Sequence, residues 1–403
     1  MNIIWGIGGI LVVLGIAFLL STAKKSINFR TILGGLTIQI IFAFIVLKWE
    51  FGKNVLVKFS EGVQNVIGYA SEGVSFLFGP AADVKNFGFV FAFQVLTVII
   101  FFSSLISVLY YLGIMQILIK FIGGGLSKLL GTSKAESISA AANIFVGQTE
   151  APLIIRPFVA KMTKSELFAV MTGGLASVAG SVLVGYALLG VPLEYLLAAS
   201  FMAAPAGLIL AKLMIPETEE PDNEDFEMEK DQDSVNVIDA AARGASDGLK
   251  LALNVGAMLL AFIALIAMVN GILGGIGGWF GFESLSLEQI LGYVFAPLAF
   301  AIGVPWSEAV TAGSFIGQKL VLNEFVAYSA FAPEIANLSP KTVIVVSFAL
   351  CGFANLSSMA ILLGGLGALA PSRRGDIAKL GLRAVAAGML ASLLSAAIAG
   401  MFI

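Results

Sequence analysis

The chain has 403 residues, of which 58% are hydrophobic and 12% are charged, and its net charge is -3. Soluble globular domains have about 25% charged residues, so this composition predicts an integral membrane protein. The chain has one cysteine, Cys351, and no histidine. An internal disulfide framework and a multi-cysteine metal site are therefore excluded, and the commonest general acid or base is missing. No basic stretch with interleaved aromatic residues indicates nucleic-acid binding.

Eight stretches are long and apolar enough to cross a bilayer, which takes about 20 residues of helix. In chain order they are 2–20, 31–47, 87–119, 167–190, 194–211, 251–273, 341–370 and 384–402. The first has neither a basic leading segment nor a small-residue cleavage site, so we expect a retained span and not a signal peptide. The sequence therefore predicts an all-α polytopic membrane protein.

Two further apolar regions, 134–160 and 285–333, contain Gly, Pro and carboxylates near their middles. Each is predicted to be a re-entrant hairpin, in which a helix, a break and a second helix return to the same side. Such a break is stable only where protein or water satisfies the freed backbone groups. We therefore expect eight transmembrane helices plus two re-entrant hairpins.

Two segments are polar or amphipathic instead. Residues 50–85 have mixed charge and are expected to lie along the membrane surface. Residues 216–233 hold ten acids against one lysine. This composition is typical of a disordered, solvated linker, with a regulatory tail as the alternative.

Lysine and arginine cluster in four places: after the first span, after the third, after the first hairpin and before the last span. All four clusters fall on one side if the first hairpin returns to the side it came from. The positive-inside rule makes that side cytoplasmic. Both termini are then expected outside, with one hairpin entering from the cytoplasm and the other from outside.

Short words recur in the two halves of the chain. "FVGQ" at 145–148 matches "FIGQ" at 315–318, and "GLASVAGS" at 174–181 matches "GFANLSSM" at 352–359. Order and spacing agree, so each half is expected to contain a Gly-Gln break followed by a Gly-Ala break. With the orientation above, the halves form an inverted repeat, which is typical of secondary transporters with a site near the bilayer midplane.

Hydrogen-bonding side chains gather at these four discontinuities, where helix N-termini and free carbonyls also converge. They are Asn143, Gln148, Thr149, Glu150, Ser177, Ser181, Gln318, Asn323, Glu324, Asn355, Ser357 and Ser358. With few fixed cations, such a set suits a neutral, hydroxyl-rich solute and a small hard cation. At single positions the alternatives are a serine bonded to its own helix, an asparagine that joins helices, or a glutamate paired with Arg156 or Lys319.

Three motifs carry a resemblance to the concentrative nucleoside transporters. They are "NIFVGQTEAPLIIRPF" at 143–158, "NEF" at 323–325 and "CGFANLSSMAILLGG" at 351–365. The resemblance implies a sodium- or proton-coupled symporter that forms homotrimers, with a scaffold domain and a moving transport domain in each protomer.

The domain division expected on this basis has five parts. They are scaffold helices with the interfacial helix (1–119), a first transport repeat (120–215, with hairpin 134–160 and broken helix 167–190), an acidic cytoplasmic linker with an amphipathic helix (216–250), a scaffold helix (251–278), and a second transport repeat (285–403, with hairpin 285–333 and broken helix 341–370).

The resemblance also implies roles at matching motif positions. The nucleobase side is implied for Gln148, Thr149 and Glu150, with Val182 as its apolar wall. The ribose side is implied for Glu324, Asn355 and Ser358, with Phe353 as a nearby aromatic wall. The implied sodium ligands are Asn143, the Val146 carbonyl, Ser177 and the Val178 carbonyl.

The expected function is therefore nucleoside import driven by a sodium gradient through alternating access. The substrate is expected to be uridine-like, and the location is a bacterial inner membrane. Proton coupling through Glu150 or Glu324 is one alternative, and sodium-coupled transport of another polar solute is a second. An intramembrane enzyme is disfavoured because no histidine or cysteine cluster exists to activate a nucleophile or a metal.

Overall fold

The computed structural model describes residues 2–221, 234–279, 281–282 and 285–403, and every regular element within them is a helix. A bilayer has no water to satisfy free backbone groups, and a helix satisfies most of them within one segment. The all-α class predicted from the composition is confirmed for this part of the chain.

The helices up to residue 214 are α1 (Asn2–Leu19), α2 (Phe29–Ala43), α3 (Glu50–Phe78), α4 (Val84–Phe87), α5 (Thr97–Tyr111), α6 (Ile114–Leu130), α7 (Lys134–Ala142), α8 (Ala151–Ile154), α9 (Arg156–Val159), α10 (Lys164–Ala176), α11 (Gly180–Leu188) and α12 (Leu193–Met214). Those that follow are α13 (Val237–Gly278), α14 (Leu287–Ala301), α15 (Trp306–Val321), α16 (Glu324–Phe331), α17 (Pro340–Leu350), α18 (Ser358–Leu369) and α19 (Arg374–Ala399). Single π-helical turns, Phe44–Lys48 and Ala92–Leu96, continue α2 and lead into α5.

Seven of the described helices are long and apolar enough to cross a membrane, and the pair α14 and α15, bent by 116°, is an eighth candidate. Helices α17 and α18 are each too short to cross alone. The chain is therefore a multi-pass membrane protein, and the expected number of eight spans plus two hairpins stays a prediction.

The helices form an inner group with an outer layer. Helices α10, α12, α17 and α19 pack against one another. In the most apolar 18-residue window of Lys164–Leu188, a segment that covers α10 and α11, 94% of the residues are buried, against 17% in the corresponding window of Val237–Trp279. Because lipid is as apolar as leucine, the exposed apolar faces of the outer helices suit contact with a bilayer or with another protein.

Outer helices α5 and α13 are joined by small residues. The Ser104 and Ser107 hydroxyls donate to the Ala241 and Ala240 carbonyls, each at 2.8 Å. A Cβ added at Gly244 would lie 2.5 Å from the Ser107 Cβ. Close backbone approach with interhelical serine hydrogen bonds is a recurrent way to join membrane helices. We therefore treat α5 and α13 as one packed pair.

The order of elements recurs in the two halves. A preceding helix, a hairpin, a broken helix and a long helix follow one another as α6 to α12 and again as α14 to α19. Three candidate spans separate the starts of the two copies: the broken helix α10–α11, α12 and α13. An odd number of crossings inverts the second copy, so the inverted repeat predicted from the sequence is present in the order of elements.

Two predicted boundaries were wrong. The region 87–119 is not one span, because the helix ends at Tyr111 and α6 starts at Ile114 after Gly113, whose φ of 79° is left-handed. The division at 250/251 between an amphipathic helix and a scaffold helix is also absent, because α13 runs without interruption from Val237 to Gly278. Polar residues on the first turns of α13 changed the composition there without ending the helix.

The second hairpin is shorter than the predicted 285–333. Helix α14 packs beside it as a separate element, and the hairpin proper is α15 and α16 with its break at 322–323. The predicted break at "FIGQ" was wrong, since Gly317 lies inside α15. A Cβ added there would lie 2.7 Å from the Leu291 Cβ on α14, so this glycine permits close helix packing and does not end a helix.

The acidic linker lies mostly outside the described residues. Residues 222–233 carry most of its acids, and the prediction of a disordered loop falls on them. Of the described acids, Glu217 accepts hydrogen bonds from Lys212 at 3.2 Å and from the Thr163 hydroxyl at 2.9 Å. The first residues of the linker are thereby tied to the ends of α12 and α10.

Candidate substrate and cation site

The two helix breaks meet at the centre of the inner group. The Phe353 amide donates to the Ser177 carbonyl at 3.1 Å, which joins the break after α17 to the break after α10. A Cβ at Gly352 would lie 2.9 Å from the Ala176 carbonyl oxygen and 2.7 Å from the Ser392 hydroxyl. Glycine is therefore required at 352, because the two breaks and α19 approach each other closely there.

Each break also contacts the hairpin of its own half. The Gly180 amide donates to the Phe145 carbonyl at 3.0 Å in the first half. The Leu356 amide donates to the Leu320 carbonyl at 3.1 Å in the second. Backbone groups freed by the breaks are thus satisfied by other breaks and hairpins, as non-helical backbone within a membrane requires.

A cavity of about 160 Å³ opens at this meeting point. Among its lining residues are all eight that the sequence predicted for the substrate: Gln148, Thr149, Glu150, Val182, Glu324, Phe353, Asn355 and Ser358. The structure therefore brings side chains from both hairpins and both breaks to one cavity, although they are up to 210 positions apart in the sequence.

Glu324 lies at the buried end of the cavity and is 6% exposed. Its Oε1 accepts a hydrogen bond from the Tyr186 hydroxyl at 3.0 Å, and its Oε2 accepts one from the Asn355 Nδ2 at 3.2 Å. A carboxylate has about four lone-pair sites, so both oxygens can accept further hydrogen bonds from a ligand. The carboxylate is held in place and can still bind two hydroxyl groups.

Asn355 is itself fixed by the break that carries it. Its Oδ1 accepts hydrogen bonds from the Ser358 amide at 2.9 Å and from the Ser357 hydroxyl at 2.7 Å. The Ser358 hydroxyl donates to the Phe353 carbonyl. The second break thus satisfies its own polar groups, and the amide group of Asn355 is held with its NH₂ toward Glu324.

An aromatic cluster supports Glu324 from behind. The Tyr186 ring stacks on Tyr328 with centroids 4.3 Å apart, and Phe325 packs edge-on against Tyr186 at 4.9 Å. The Tyr328 hydroxyl donates to the Ser347 carbonyl at 2.7 Å. The sequence predicts no role for Tyr186, because the residues around a tyrosine in an apolar helix do not indicate which carboxylate of the other half its hydroxyl contacts.

The opposite wall of the cavity is apolar and belongs to α13. It contributes Leu251, Val255, Met258 and Leu259. Their spacing of four, three and one residues places them on one helical face, so this signal was present in the sequence. The expected domain division places 251–278 in the scaffold, and the structure adds that this helix lines the cavity.

The first hairpin presents the other polar groups. Gln148 is buried, and its Oε1 has no hydrogen-bond partner among the described residues. Thr149 packs toward α18, where a Cβ at Gly365 would lie 3.0 Å from its Cγ2. Glu150 is exposed on the cavity lining, and no ion pair joins it to Arg156 in the described structure. An amide, a hydroxyl and a carboxylate thus face the cavity opposite Glu324.

The predicted cation ligands lie off the cavity lining, in the buried part of this hairpin and in the break after α10. Asn143 is 1% exposed, and its Oδ1 has no partner among the described residues. A Cβ at Gly173 would lie 3.4 Å from the Asn143 Nδ2, which places this amide beside the last turn of α10. The Ser177 hydroxyl follows that turn and donates to the Gly173 carbonyl at 3.0 Å, so its lone pairs stay available.

This donor set fits a monovalent cation. It offers an amide oxygen, a hydroxyl and the backbone carbonyls of Val146 and Val178, both buried. Hard cations take oxygen ligands. No group of three or more Asp, Glu, Cys or His occurs in the described residues, so the carboxylate cluster typical of a tight divalent site is not found there. Asn143, Val146, Ser177 and Val178 are therefore residues that can hold sodium.

Comparison with known proteins covers the whole chain. Family models described as "Na+ dependent nucleoside transporter N-terminus", "Nucleoside recognition" and "Na+ dependent nucleoside transporter C-terminus" match residues 8–81, 92–193 and 195–400. The chain is 64% identical over its full length to an uncharacterized transporter, YutK, of Bacillus subtilis, whose full length it also covers. It is 52% identical to the nucleoside permease NupC of Helicobacter pylori, with 99% of this chain and 98% of that protein covered.

A solved structure of CNTnw in an inward-facing substrate-bound state has the same fold. Its TM-score to this chain is 0.96 with 58% identity, and the match covers 100% of this chain and 98% of that one. The relatives are permeases and transporters, so the alternative of an intramembrane enzyme is excluded.

Proposed function

Because the chain belongs to the family of Na⁺-dependent nucleoside transporters, we propose that it is a secondary active symporter that imports nucleosides together with sodium through alternating access. The observation that carries this proposal is the cavity itself. The Glu324 carboxylate, held by two donors, faces the amide, hydroxyl and carboxylate of the first hairpin, and α13 supplies an apolar wall. This arrangement suits a sugar at one end and a heterocyclic base at the other.

The ribose end is assigned to Glu324, Asn355 and Ser358. A vicinal diol offers two hydroxyl donors, and a carboxylate accepts both. Since Tyr186 and Asn355 fix the Glu324 carboxylate, little conformational entropy is lost when the diol binds. Phe353 lines the same end of the cavity as an aromatic wall.

The base end is assigned to the first hairpin. Gln148 and Thr149 supply both donors and acceptors for the edge of a nucleobase, and Glu150 adds an acceptor at the exposed side. Val182, which is 3% exposed, provides apolar contact with the face of the base. The unpartnered Gln148 Oε1 supports this role, since a buried acceptor gains most from a ligand that donates to it.

Sodium is assigned to Asn143, the Val146 carbonyl, Ser177 and the Val178 carbonyl. These groups link the first hairpin to the break after α10, and Gln148 follows Val146 by two positions. A cation bound there orders the hairpin backbone that presents Gln148 and Thr149. Sodium binding is therefore expected to complete the nucleoside site, which couples the two solutes.

The electrical driving force is sufficient for concentrative uptake. One sodium ion that enters down a potential of about 100 mV supplies about 2.3 kcal/mol. Since about 1.4 kcal/mol corresponds to a tenfold change in an equilibrium, this sustains about forty-fold accumulation of a neutral solute before any sodium gradient is added.

Movement of the inner group past α13 is the proposed form of alternating access. All the polar lining of the cavity comes from hairpins and breaks, and α13 contributes only apolar side chains. Sliding the inner group along α13 therefore breaks no hydrogen bond to the substrate. In this scheme α13 and α5 belong to the scaffold domain, and the two repeats belong to the transport domain.

A homotrimer in a bacterial inner membrane, with both termini outside, completes the proposal. The face of α13 away from the cavity exposes Leu253, Leu260 and Ile263, which are 62%, 77% and 53% exposed. A contact between protomers through this face leaves the cavity face free. A Leu260→Cys variant crosslinked in native membranes is expected to give a covalent species larger than the monomer. Recovery of the monomer alone contradicts this contact between protomers.

Uptake of tritiated uridine into proteoliposomes with independently imposed sodium and proton gradients tests the function. We expect uptake to follow an inward sodium gradient at constant pH. Uptake that follows only the proton gradient overturns sodium coupling in favour of proton coupling. Absence of uridine uptake, with uptake of another polar solute, overturns the substrate class.

A further inference from the structure

Lys319 is a fully buried lysine in the second hairpin. It lies two residues before the end of α15 and is 0% exposed. A charged side chain inside a membrane segment is costly and persists where specific groups compensate it. The proposed binding of nucleoside and sodium gives this lysine no role.

The Lys319 ammonium binds to backbone oxygen at a helix end. Its Nζ donates to the Ala349 carbonyl at 2.8 Å and to the Ser392 hydroxyl at 3.0 Å. The same hydroxyl lies 3.2 Å from the Cys351 carbonyl. No carboxylate lies within ion-pair distance of Lys319 among the described residues. The charge is therefore placed at the C-terminal end of α17, where the carbonyls carry the negative end of the helix dipole.

The first half has a counterpart of this position. In the repeat, α17 with its break corresponds to α10 with its break, and α15 corresponds to α7. The C-terminal end of α10 lies beside the Asn143 amide, whose oxygen is unpartnered. Neither α7 nor its following break, residues 134–150, places a basic residue there, since Lys134 lies at the opposite end of α7. The helix end that meets an ammonium in the second half lies beside the Asn143 amide group and the Ser177 hydroxyl in the first.

We propose that the Lys319 ammonium is a tethered cation that occupies, at the second break, the position that a sodium ion occupies at the first. The tether makes this charge permanent, so the second half contributes no exchangeable ion and each cycle carries only the sodium of the first half. This inference rests on the proposed sodium coupling and assigns its stoichiometry to one residue.

A different role for Lys319 is that of counter-charge to Glu324, the buried acid of the same hairpin. The two roles predict different results. As a counter-charge, Lys319 affects uridine affinity and leaves the number of sodium ions unchanged. As a tethered cation, it determines that number.

The test is the ratio of ²²Na⁺ to tritiated uridine taken up by proteoliposomes of the full chain and its Lys319→Gln variant. The glutamine removes the charge and offers an oxygen beside the Ala349 carbonyl. We expect the variant to carry about one more sodium ion per uridine than the wild-type chain, since the glutamine oxygen, the Ala349 carbonyl and the Ser392 hydroxyl then offer oxygen ligands at the negative end of a helix dipole. Ser392→Ala, which removes a hydrogen-bond partner and keeps the charge, is the matched control and is expected to keep the wild-type ratio.

An unchanged ratio in Lys319→Gln overturns the proposal, as does an equal rise in Ser392→Ala. If the variant does not transport, its thermal stability against sodium concentration replaces uptake. At high sodium, each bound ion adds a stabilising free energy that rises with the logarithm of the sodium concentration. A plot of this stabilisation against the logarithm of the sodium concentration is therefore expected to be about twofold steeper for the variant than for wild type. A slope equal to that of wild type overturns the proposal.

Failure of the proposed function gives a distinct result. In that case the wild-type chain itself shows neither sodium-driven uptake nor sodium-dependent stabilisation. Lys319→Gln is still informative, because sodium stabilisation gained by the variant alone supports a tethered cation, and its absence from both chains contradicts one.

Discussion

The two halves of the site differ in how many of their polar side chains are hydrogen-bonded within the protein. In the second, Asn355, Ser357 and Ser358 close on one another, and Asn355 in turn holds Glu324. In the first half, the side-chain oxygens of Asn143 and Gln148, on the hairpin that contacts the first break, are buried without a partner in the described structure. The Glu324 carboxylate of the second half is thus held before any ligand arrives, whereas the first half has two buried oxygens left to bind one.

The difference has a compositional cause. The second break reads "GFANLSS" and supplies short polar side chains that bond to nearby backbone. The first reads "SVAG" and supplies one hydroxyl, so its carbonyls and those of the hairpin are left for other ligands. A symmetric arrangement of helices thereby has one half with satisfied polar groups, to which we assign the sugar, and one half with open ligands, to which we assign the ion and the base.

Loss of the Glu324 carboxylate is expected to have the largest effect. Glu324→Ala removes an acceptor of two substrate hydroxyls and leaves the donors of Tyr186 and Asn355 unpaired. Hydrogen bonds to charged groups contribute about 1.5–3 kcal/mol each, so kcat/KM for uridine should fall by at least about 100-fold. Initial uptake rates over a range of uridine concentrations measure it. Glu72→Ala, an exposed acid on α3, is the control, and an unchanged apparent affinity in Glu324→Ala contradicts the ribose assignment.

Removal of a hydroxyl from the substrate probes the same site without mutation. We expect 2′-deoxyuridine and 3′-deoxyuridine to compete with uridine about 10-fold to 100-fold less well, because a buried acceptor is then left unpaired. Competition against tritiated uridine measures the ratio. If both deoxy analogues compete as well as unlabelled uridine does, the ribose end of the site lies elsewhere. In Glu324→Ala the discrimination should largely disappear.

Asn143→Ala tests the first half. It removes one neutral oxygen from the proposed cation site, so the sodium concentration for half-maximal uptake should rise by about tenfold. The KM for uridine at saturating sodium should change little, since Asn143 lies off the cavity lining. Asn337→Ala removes an exposed amide of the same chemistry and serves as control. A raised uridine KM with an unchanged sodium dependence reverses the assignment of the two halves.

Tyr186→Phe is expected to have the smallest effect. It removes one of two donors to Glu324 and keeps the ring in its stack, so uridine KM should rise by about tenfold or less. Tyr328→Phe is a matched control from the same stack, because its hydroxyl donates to the Ser347 carbonyl and not to Glu324. Equal changes in KM for both variants indicate a general packing effect and remove Tyr186 from the site.

The sequence predicted the residues of the cavity better than the limits of its helices. Motif positions such as Gln148, Glu324 and Asn355 carry polar chemistry that apolar helices rarely tolerate, so they were visible without a structure. Gly317 was misread because a glycine that permits close packing and a glycine that ends a helix look alike in sequence. The link from Tyr186 to Glu324 spans 138 positions and depends on how the halves meet, which no local pattern encodes.

The dependence of uridine binding on sodium tests the central claim most directly. We propose that Asn143 and its neighbouring oxygens in the first half bind the ion and thereby order the base end of the site, whose sugar end is already formed by the second half. Isothermal titration of the purified chain should give a Kd for uridine at least about tenfold lower in sodium than in choline, by reciprocal coupling of the two ligands. In Asn143→Ala that difference should shrink. A uridine Kd that is the same with and without sodium in the wild-type chain contradicts the account.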